Sequence, residues 1–198
     1  MMQLDVPQAA SGAAGPEGQV APHTITLSDG TAIVVRGICP EDAPALRRFH
    51  SRLSAHSIYN RFFAWLPELS EERAEYFTHL DPAYRQALVA QDPDQPEELI
   101  GVIRYDRTPG TDRAEYAAVL ADRWQGRGLG RRMTRELIDT AWRQGIRRLD
   151  AYILPDNRPM RQLLARMDLP MTLRWEDEMI HVELDLNEIQ HPDSYPIG

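Results

Sequence analysis

The glycine-rich run Gln125-Gly126-Arg127-Gly128-Leu129-Gly130 constrains this chain more than any other stretch. Before it, Ala114 to Ala121 is apolar enough for a buried strand. After it, Leu129, Met133, Leu137 and Ala141 recur at four-residue steps with Trp142 beside the stripe, as on one face of an amphipathic helix that Gly145 ends. Closely spaced glycines let the backbone turn so that several N–H groups face one concavity, and the positive end of the following helix faces the same place. Arg127, Arg131 and Arg132 add forked donors suited to phosphate oxygens. The stretch therefore reads as a strand, a polyanion-binding turn and a helix.

Three kinds of phosphate loop differ in what they require. A nucleotide-hydrolysing P-loop needs lysine and then serine or threonine after its last glycine, where this chain has Arg131 and Arg132. A dinucleotide fingerprint needs a glycine at the sixth place of its motif, which counted from Gly126 or Gly128 is Arg131 or Met133. Both are weakened, and Gln-x-x-Gly-x-Gly after an antiparallel strand remains.

The rest of the chain supplies context for that turn. Thr24 to Leu27 and Thr31 to Arg36 flank Ser28-Asp29-Gly30 and read as a hairpin. A helix is expected from Pro40-Glu41-Asp42, with Ala45, Leu46, Phe49 and Leu53 at helical spacing; a short one over Ala55 to Phe63; and a third capped by the Ser70 hydroxyl. Gln86 to Gln91, Leu99 to Tyr105 and Arg113 to Ala121 read as an antiparallel meander. Arg148 to Leu154 is a further strand, Asn157 to Met167 a helix, and Leu169 to Trp175 with Met179 to Leu184 a closing pair of strands. Residues 1–22, rich in Ala, Gly, Pro and Gln, read as a disordered leader and 187–198 as a flexible tail, leaving 23–186 as one domain.

A net charge of −8 argues against nucleic acid as a partner, which calls for a basic face. No run approaches the roughly 18 apolar residues of a membrane span, and no signal-peptide layout begins the chain, so a cytoplasmic protein without a membrane partner is expected. Cys39 is the only cysteine; it excludes an intramolecular disulfide and leaves no structural zinc site, and no metal is expected. Lysine is absent, so all 22 basic residues are arginine.

Trp124-Gln125-Gly126-Arg127-Gly128-Leu129-Gly130 resembles the acetyl-CoA pyrophosphate loop of the GNAT acetyltransferase superfamily, and the element order from Thr31 to Leu184 matches that fold. Ile38-Cys39-Pro40-Glu41-Asp42, Leu53-Ser54, Arg61-Phe62-Phe63 and Ala114-Glu115-Tyr116-Ala117 are similar to the acetyltransferase domain of bacterial protein-lysine acetyltransferases. The large synthetase-like or cyclic-nucleotide domains that often accompany it have no room in this chain. The resemblance implies an α+β, α/β/α-layered GNAT fold, with a mixed, mainly antiparallel central sheet of about six or seven strands flanked by helices. It implies acetyl-CoA as co-substrate and a lysine-bearing protein as acceptor; acetylation of a small amine, or acyl-CoA sensing without turnover, are the alternatives.

Among individual residues, the resemblance puts the acetyl and pantetheine arm beside Ala118, Val119 and Leu120, and the pyrophosphate at Gln125, Gly126, Arg127, Gly128, Leu129, Gly130 and Arg131. Glu115 is the implied general base, although a lone strand glutamate by itself reads as a cross-strand partner of arginine. Asn157 reads either as the cap of the helix that Pro159 helps to start or as a contact for the cofactor arm, with Arg161 as a further phosphate contact. Leu163 and Leu164 stand where many members carry the tyrosine that protonates the leaving thiolate, and Asp168-Leu169 replaces the usual Gly-Phe. Either CoA leaves as the thiolate, or another tyrosine such as Tyr152 takes that role.

Overall fold

A computed structural model describes residues 20–189. The expected leader and tail concern, for residues 1–19 and 190–198, positions outside the described residues. The elements follow the expected order. Strands β1 (His23–Thr26) and β2 (Ala32–Gly37) form the first hairpin, with Gly30 at φ 84° in its turn. A 3-10 turn at Pro40–Asp42 leads into α1 (Ala43–Ser51). Helices α2 (Ala55–Phe62) and α3 (Glu71–Thr78) begin at Ser54 and Ser70, whose side chains accept from Ser57 N–H and Arg73 N–H. These caps satisfy N–H groups that a first helical turn leaves without partners. Strands β3 (Arg85–Gln91), β4 (Leu99–Arg107) and β5 (Arg113–Leu120) make the antiparallel meander. Then come α4 (Leu129–Arg143), β6 (Arg148–Ile153), α5 (Arg158–Ala165), β7 (Met171–Glu176) and β8 (Met179–Asp185).

The sheet has eight strands in the order β1-β2-β3-β4-β5-β6-β8-β7, rather than six or seven, because both terminal hairpins join it, the first through three residue pairs between β2 and β3 and the second along the length of β6. Every neighbouring pair is antiparallel except β5 and β6. Alternation along the strands gives the sheet two apolar faces. On one, Ala87, Val89 and Val102 pack with Leu46, Phe49 and Leu53, and with Ile58 and Ala74 from the next two helices. On the other, Leu88, Ile103, Tyr105 and Leu149 pack against the stripe Leu129, Met133, Leu137 and Ala141 of α4 and Leu164 of α5. The result is helix, sheet and helix in three layers, held by two clusters.

The half-turn ahead of α1 is held by charge. Arg36 donates two bonds of 2.7 Å to Asp42, whose carboxylate also accepts from Cys39 N–H. Burial works to raise the Asp42 pKa, but these bonds hold it below the ordinary value. Burial and the neighbouring acids push the Cys39 thiol up to about 11, so it stays protonated.

Leu137 is fully buried at the centre of α4. We expect Leu137→Ala to cost roughly 2–5 kcal/mol in urea unfolding, and Ser70→Ala, which removes only the cap of α3, about 1 kcal/mol.

Candidate active site

Strand β5 pairs with β4 from Ala114 to Leu120 but with β6 only at Arg113–Arg148, Ala114–Leu149 and Glu115–Asp150. Beyond Glu115 one edge of β5 has no strand beside it, and a cavity of about 260 Å³ opens there. Ala118, Val119 and Leu120 form one wall; Gln125, Gly126, Gly128, Gly130 and Arg131 form another. Asn157, Pro159, Met160 and Leu163 face them from α5 and the residues before it, and His56, Ser57 and Asn60 from α2. The unpaired backbone edge leaves N–H and C=O groups for an extended amide-containing ligand.

Gly126 and Gly128 hold φ of 72° and 90°, the left-handed region that glycine adopts without a side-chain penalty, and nothing lies within 4 Å of where a Cβ would stand. Helix α4 starts directly after Gly128 with no side-chain cap, so its first N–H groups keep their donors for a ligand. Arg131 lines the cavity, and its Nε is enclosed without a hydrogen-bond partner. This cradle of donors fits a pyrophosphate. Two expected contacts lie differently: Arg127 points to the first hairpin, donating to Asp29 (2.5 Å) and Thr31 (3.2 Å) across the Trp124 ring, and the Leu129 side chain is buried in the core. Arg127 thus braces the turn, and Leu129 has only backbone to offer.

Two further features shape the cavity. A Cβ on Gly101 would stand 2.3 Å from Leu120 Cδ2, and one on Gly130 would stand 3.2 Å from Leu120 Cδ1, so both glycines make room for that side chain. Asp122 accepts from Ser54 N–H (3.0 Å), Ser54 Oγ (2.6 Å) and Ser57 Oγ (2.8 Å). Gln125 Nε2 donates to Ser57 Oγ (3.1 Å) and to the Leu120 carbonyl (3.0 Å). The start of α2 is thereby tied to the glycine turn.

A second cavity, of about 30 Å³, adjoins the first and shares Asn60, Ala118, Asn157 and Met160 with it. Glu115, Arg61, Phe63 and Tyr152 are among the other residues that line it. Glu115 belongs to a continuous cross-strand row, Arg85, Asp106, Glu115, Asp150, Glu183 and Thr172, from β3 to β7. Its direct neighbours are carboxylates rather than arginine. Asp106 is held by Arg85 (3.0 Å) and by two bonds of 2.9 Å from Arg104; Asp150 by Arg113 and by His181 (2.7 Å); Glu183 by Arg113 (2.6 Å). Among the described residues the Glu115 carboxyl group makes no hydrogen bond or ion pair. It is open to solvent at the cavity mouth, yet the protein crowded round its carboxyl raises the pKa above the ordinary glutamate value. Asp106 and Asp150 add to this, and Arg61 and Arg104 oppose it.

Asn157 Oδ1 accepts from Met160 N–H at 3.1 Å, capping α5, and the residue also lines both cavities. Arg161 donates to the Pro155 carbonyl and stands outside both linings. Leu163 lines the larger cavity and Leu164 is buried. Tyr152 lines the smaller one, stacked on His181 with ring centres 4.9 Å apart. Burial and the acids around it raise its pKa, so the phenol keeps its proton. Asp168 occupies the left-handed region (φ 56°), which the glycine usual at this place would adopt freely. Sequence reasoning assigned no role to His56, Ser57 or Asn60. Asn60 Nδ2 donates to His56 Nε2 (2.9 Å), and its Oδ1 is enclosed without a partner. Spacing on α2 was their only signal, and it marks a helix face without saying what the face meets.

No helix among the described residues is long and apolar enough to cross a membrane. Residues 32–169 match the family described as "Acetyltransferase (GNAT) domain". An acetyltransferase of Pseudomonas aeruginosa is 33% identical over 147 residues, covering 72% of this chain and 77% of that protein. The acetyltransferase Pat of Mycolicibacterium smegmatis is 26% identical over 149 residues, 75% of this chain but only 44% of that longer protein. The crystal structure of the GNAT domain of S. lividans PAT superposes with a TM-score of 0.77 at 34% identity, covering 83% of this chain and 97% of that one.

The geometry separates two glycine substitutions. Gly101→Ala displaces the end of Leu120, and we expect weaker acetyl-CoA binding by calorimetry with little change in the unfolding midpoint. Gly128→Ala forces a side chain into the left-handed region, which costs about 1–2 kcal/mol, so both affinity and stability should fall.

Proposed function

Because the chain belongs to the GNAT acetyltransferase family and so is an acetyl-CoA-dependent N-acetyltransferase, we propose that it transfers the acetyl group to the ε-amine of a lysine on a protein, by direct attack in a ternary complex. The observation that carries this reading is the pair of cavities with a common wall: a larger one beside a phosphate cradle, and a smaller one holding an unpaired carboxylate. Likeness to the S. lividans PAT domain supports a protein acceptor, and so does the exposed outer strand β7, which follows β6 and β8 at that end of the sheet. From Thr172 to Glu176 every side chain of β7 is exposed, Trp175 by 71%. The transferase unit is residues 23–186, and its reducing surroundings, the cytoplasm, suit a protein whose one thiol is held protonated.

In this reading Gln125, Gly126, Gly128, Gly130 and Arg131, with the first N–H groups of α4, hold the pyrophosphate of acetyl-CoA; Arg127 braces the turn and Leu129 contributes backbone. Ala118, Val119, Leu120 and Asn157 line the path of the arm, and a strand N–H polarises the thioester carbonyl. Acetyl-CoA supplies the activated acyl group. A lysine amine of pKa about 10.4 arrives protonated at neutral pH. Glu115 takes that proton, directly or through one water, and the freed lone pair attacks the carbonyl carbon. As the carbon–sulfur bond breaks the nitrogen gives up its second proton: the sulfur departs as thiolate and that proton passes to solvent, or the sulfur takes a proton from Tyr152, which the nitrogen's proton restores.

A raised pKa means that the Glu115 carboxylate forms above the ordinary glutamate range, so kcat/KM should rise with pH through that raised value. The same shift means that the folded state binds this proton more tightly than the unfolded chain does. That contribution to stability is present below the ordinary glutamate pKa and is lost as pH rises through the raised one. Glu115→Gln should therefore lower kcat roughly 10²–10⁴-fold, leave acetyl-CoA binding intact, and cost no stability at neutral pH. The acceptor is tested with labelled acetyl-CoA, a lysine-bearing protein and a panel of small amines. The chain has no lysine of its own, so label on lysine reports the substrate. Turnover confined to the small amines would sink the protein-lysine reading.

A further inference from the structure

Among the described residues, Arg61 is the one arginine around the smaller cavity without a counter-ion in contact. Arg85 and Arg104 bond to Asp106, and Arg113 bonds to Asp150 and Glu183. Arg61 leaves the last turn of α2 beside Glu115, and its guanidinium carbon lies 4.9 Å from the centre of the Phe62 ring. Among the described residues it makes no hydrogen bond and no ion pair. Crowding by the surrounding protein, with Arg104 beside it, brings its pKa down to about 10 against the pull of Asp106 and Glu115, although the side chain is half-buried rather than sealed from solvent.

The carboxylates nearby relieve it only at a distance. Both oxygens of Asp106 are taken by Arg85 and Arg104, and both oxygens of Asp150 by Arg113 and His181. Glu115 remains within electrostatic reach of Arg61 but forms no contact with it. When Glu115 accepts the acceptor's proton it becomes neutral, and half-buried Arg61 keeps only the more distant pull of Asp106, which is already bonded to Arg85 and Arg104. A partly desolvated cation with no bonded counter-ion is costly, and an anion brought by the ligand offsets that cost. One cavity thus offers an anion for an ammonium and, apart from it, a forked cation for a carboxylate.

We propose that Arg61 binds a carboxylate carried by the acceptor, so that the lysine entering at Glu115 is one with an aspartate or glutamate beside it. This rests on the reading of the Glu115 cavity as the acceptor site. A protein segment brings such a pair as neighbouring side chains, and a free amino acid brings it within one molecule.

The test is steady-state kinetics on two peptides that differ only in glutamate or glutamine next to a single lysine, and on free lysine against lysinamide. The wild-type enzyme should show a KM about tenfold or more lower for the glutamate peptide, the scale of one charge-assisted contact. Arg61→Met should erase that difference by raising KM for the glutamate peptide alone, and Arg61→Lys should restore part of it. Equal KM values for the two wild-type pairs overturn the proposal, and this comparison needs no variant to fold. It is also overturned if Arg61→Met lowers kcat alike on both peptides and shifts the acid limb of the pH profile upward, because Arg61 then only positions and tunes Glu115. Preference for lysine over lysinamide with neither peptide acetylated supports the carboxylate contact while removing the protein-lysine reading.

Discussion

Four carboxylates, Asp106, Glu115, Asp150 and Glu183, lie in register on four successive strands. Like charges placed directly opposite one another destabilise a sheet, so the centre of this fold stands only because arginines are threaded between the strands. Arg104 and Arg85 neutralise one end of the row, and Arg113 bridges two members at the other. Stability and chemistry meet at the member left over. With its neighbours satisfied, Glu115 feels their residual charge and the crowding around it, and both make it a better proton acceptor than a solvated glutamate.

The same region is where the sheet changes character. Antiparallel pairing across β3, β4 and β5 gives way to three parallel pairs with β6, after which the partner strand is gone. A gap in a sheet normally leaves backbone groups without partners, a cost that is tolerated where a ligand can meet them. The cavities fill that gap, and α2, α5 and the glycine turn close round it. Fold and site are thus one feature seen at two scales.

Much of this was legible in the sequence because its signals are local. The Ser70 cap, the turn at Gly30, the glycines before α4 and its apolar stripe each act within a few residues. The strand count came out low because both terminal hairpins extend the sheet, and no local pattern says how far a sheet continues. Register escaped for a similar reason. Nothing near Glu115 announces that Asp106 and Asp150 will stand opposite it, since alignment across strands depends on the whole hydrophobic pattern. Arg127 reads locally as a phosphate contact, yet Asp29, far back along the chain, holds it, and that partner could only be found in three dimensions. Arg61 reads as part of a motif, while its lack of a partner belongs to the packed structure.

The tie between Asp122, Ser54, Ser57 and Gln125 has a consequence for how the two cavities work together. These side chains join the first turn of α2 to the loop that opens the phosphate cradle, and the last turn of the same short helix carries Asn60 and Arg61. A ligand that draws the loop inward moves the start of the helix with it, and a ligand that grips Arg61 pulls from the other end. Wherever filling one cavity shifts that helix, linkage requires the free energy of filling the other to change by the same amount in both directions. The two cavities thus share one eight-residue element, held at its start by the glycine turn and carrying Asn60 and Arg61 at its end.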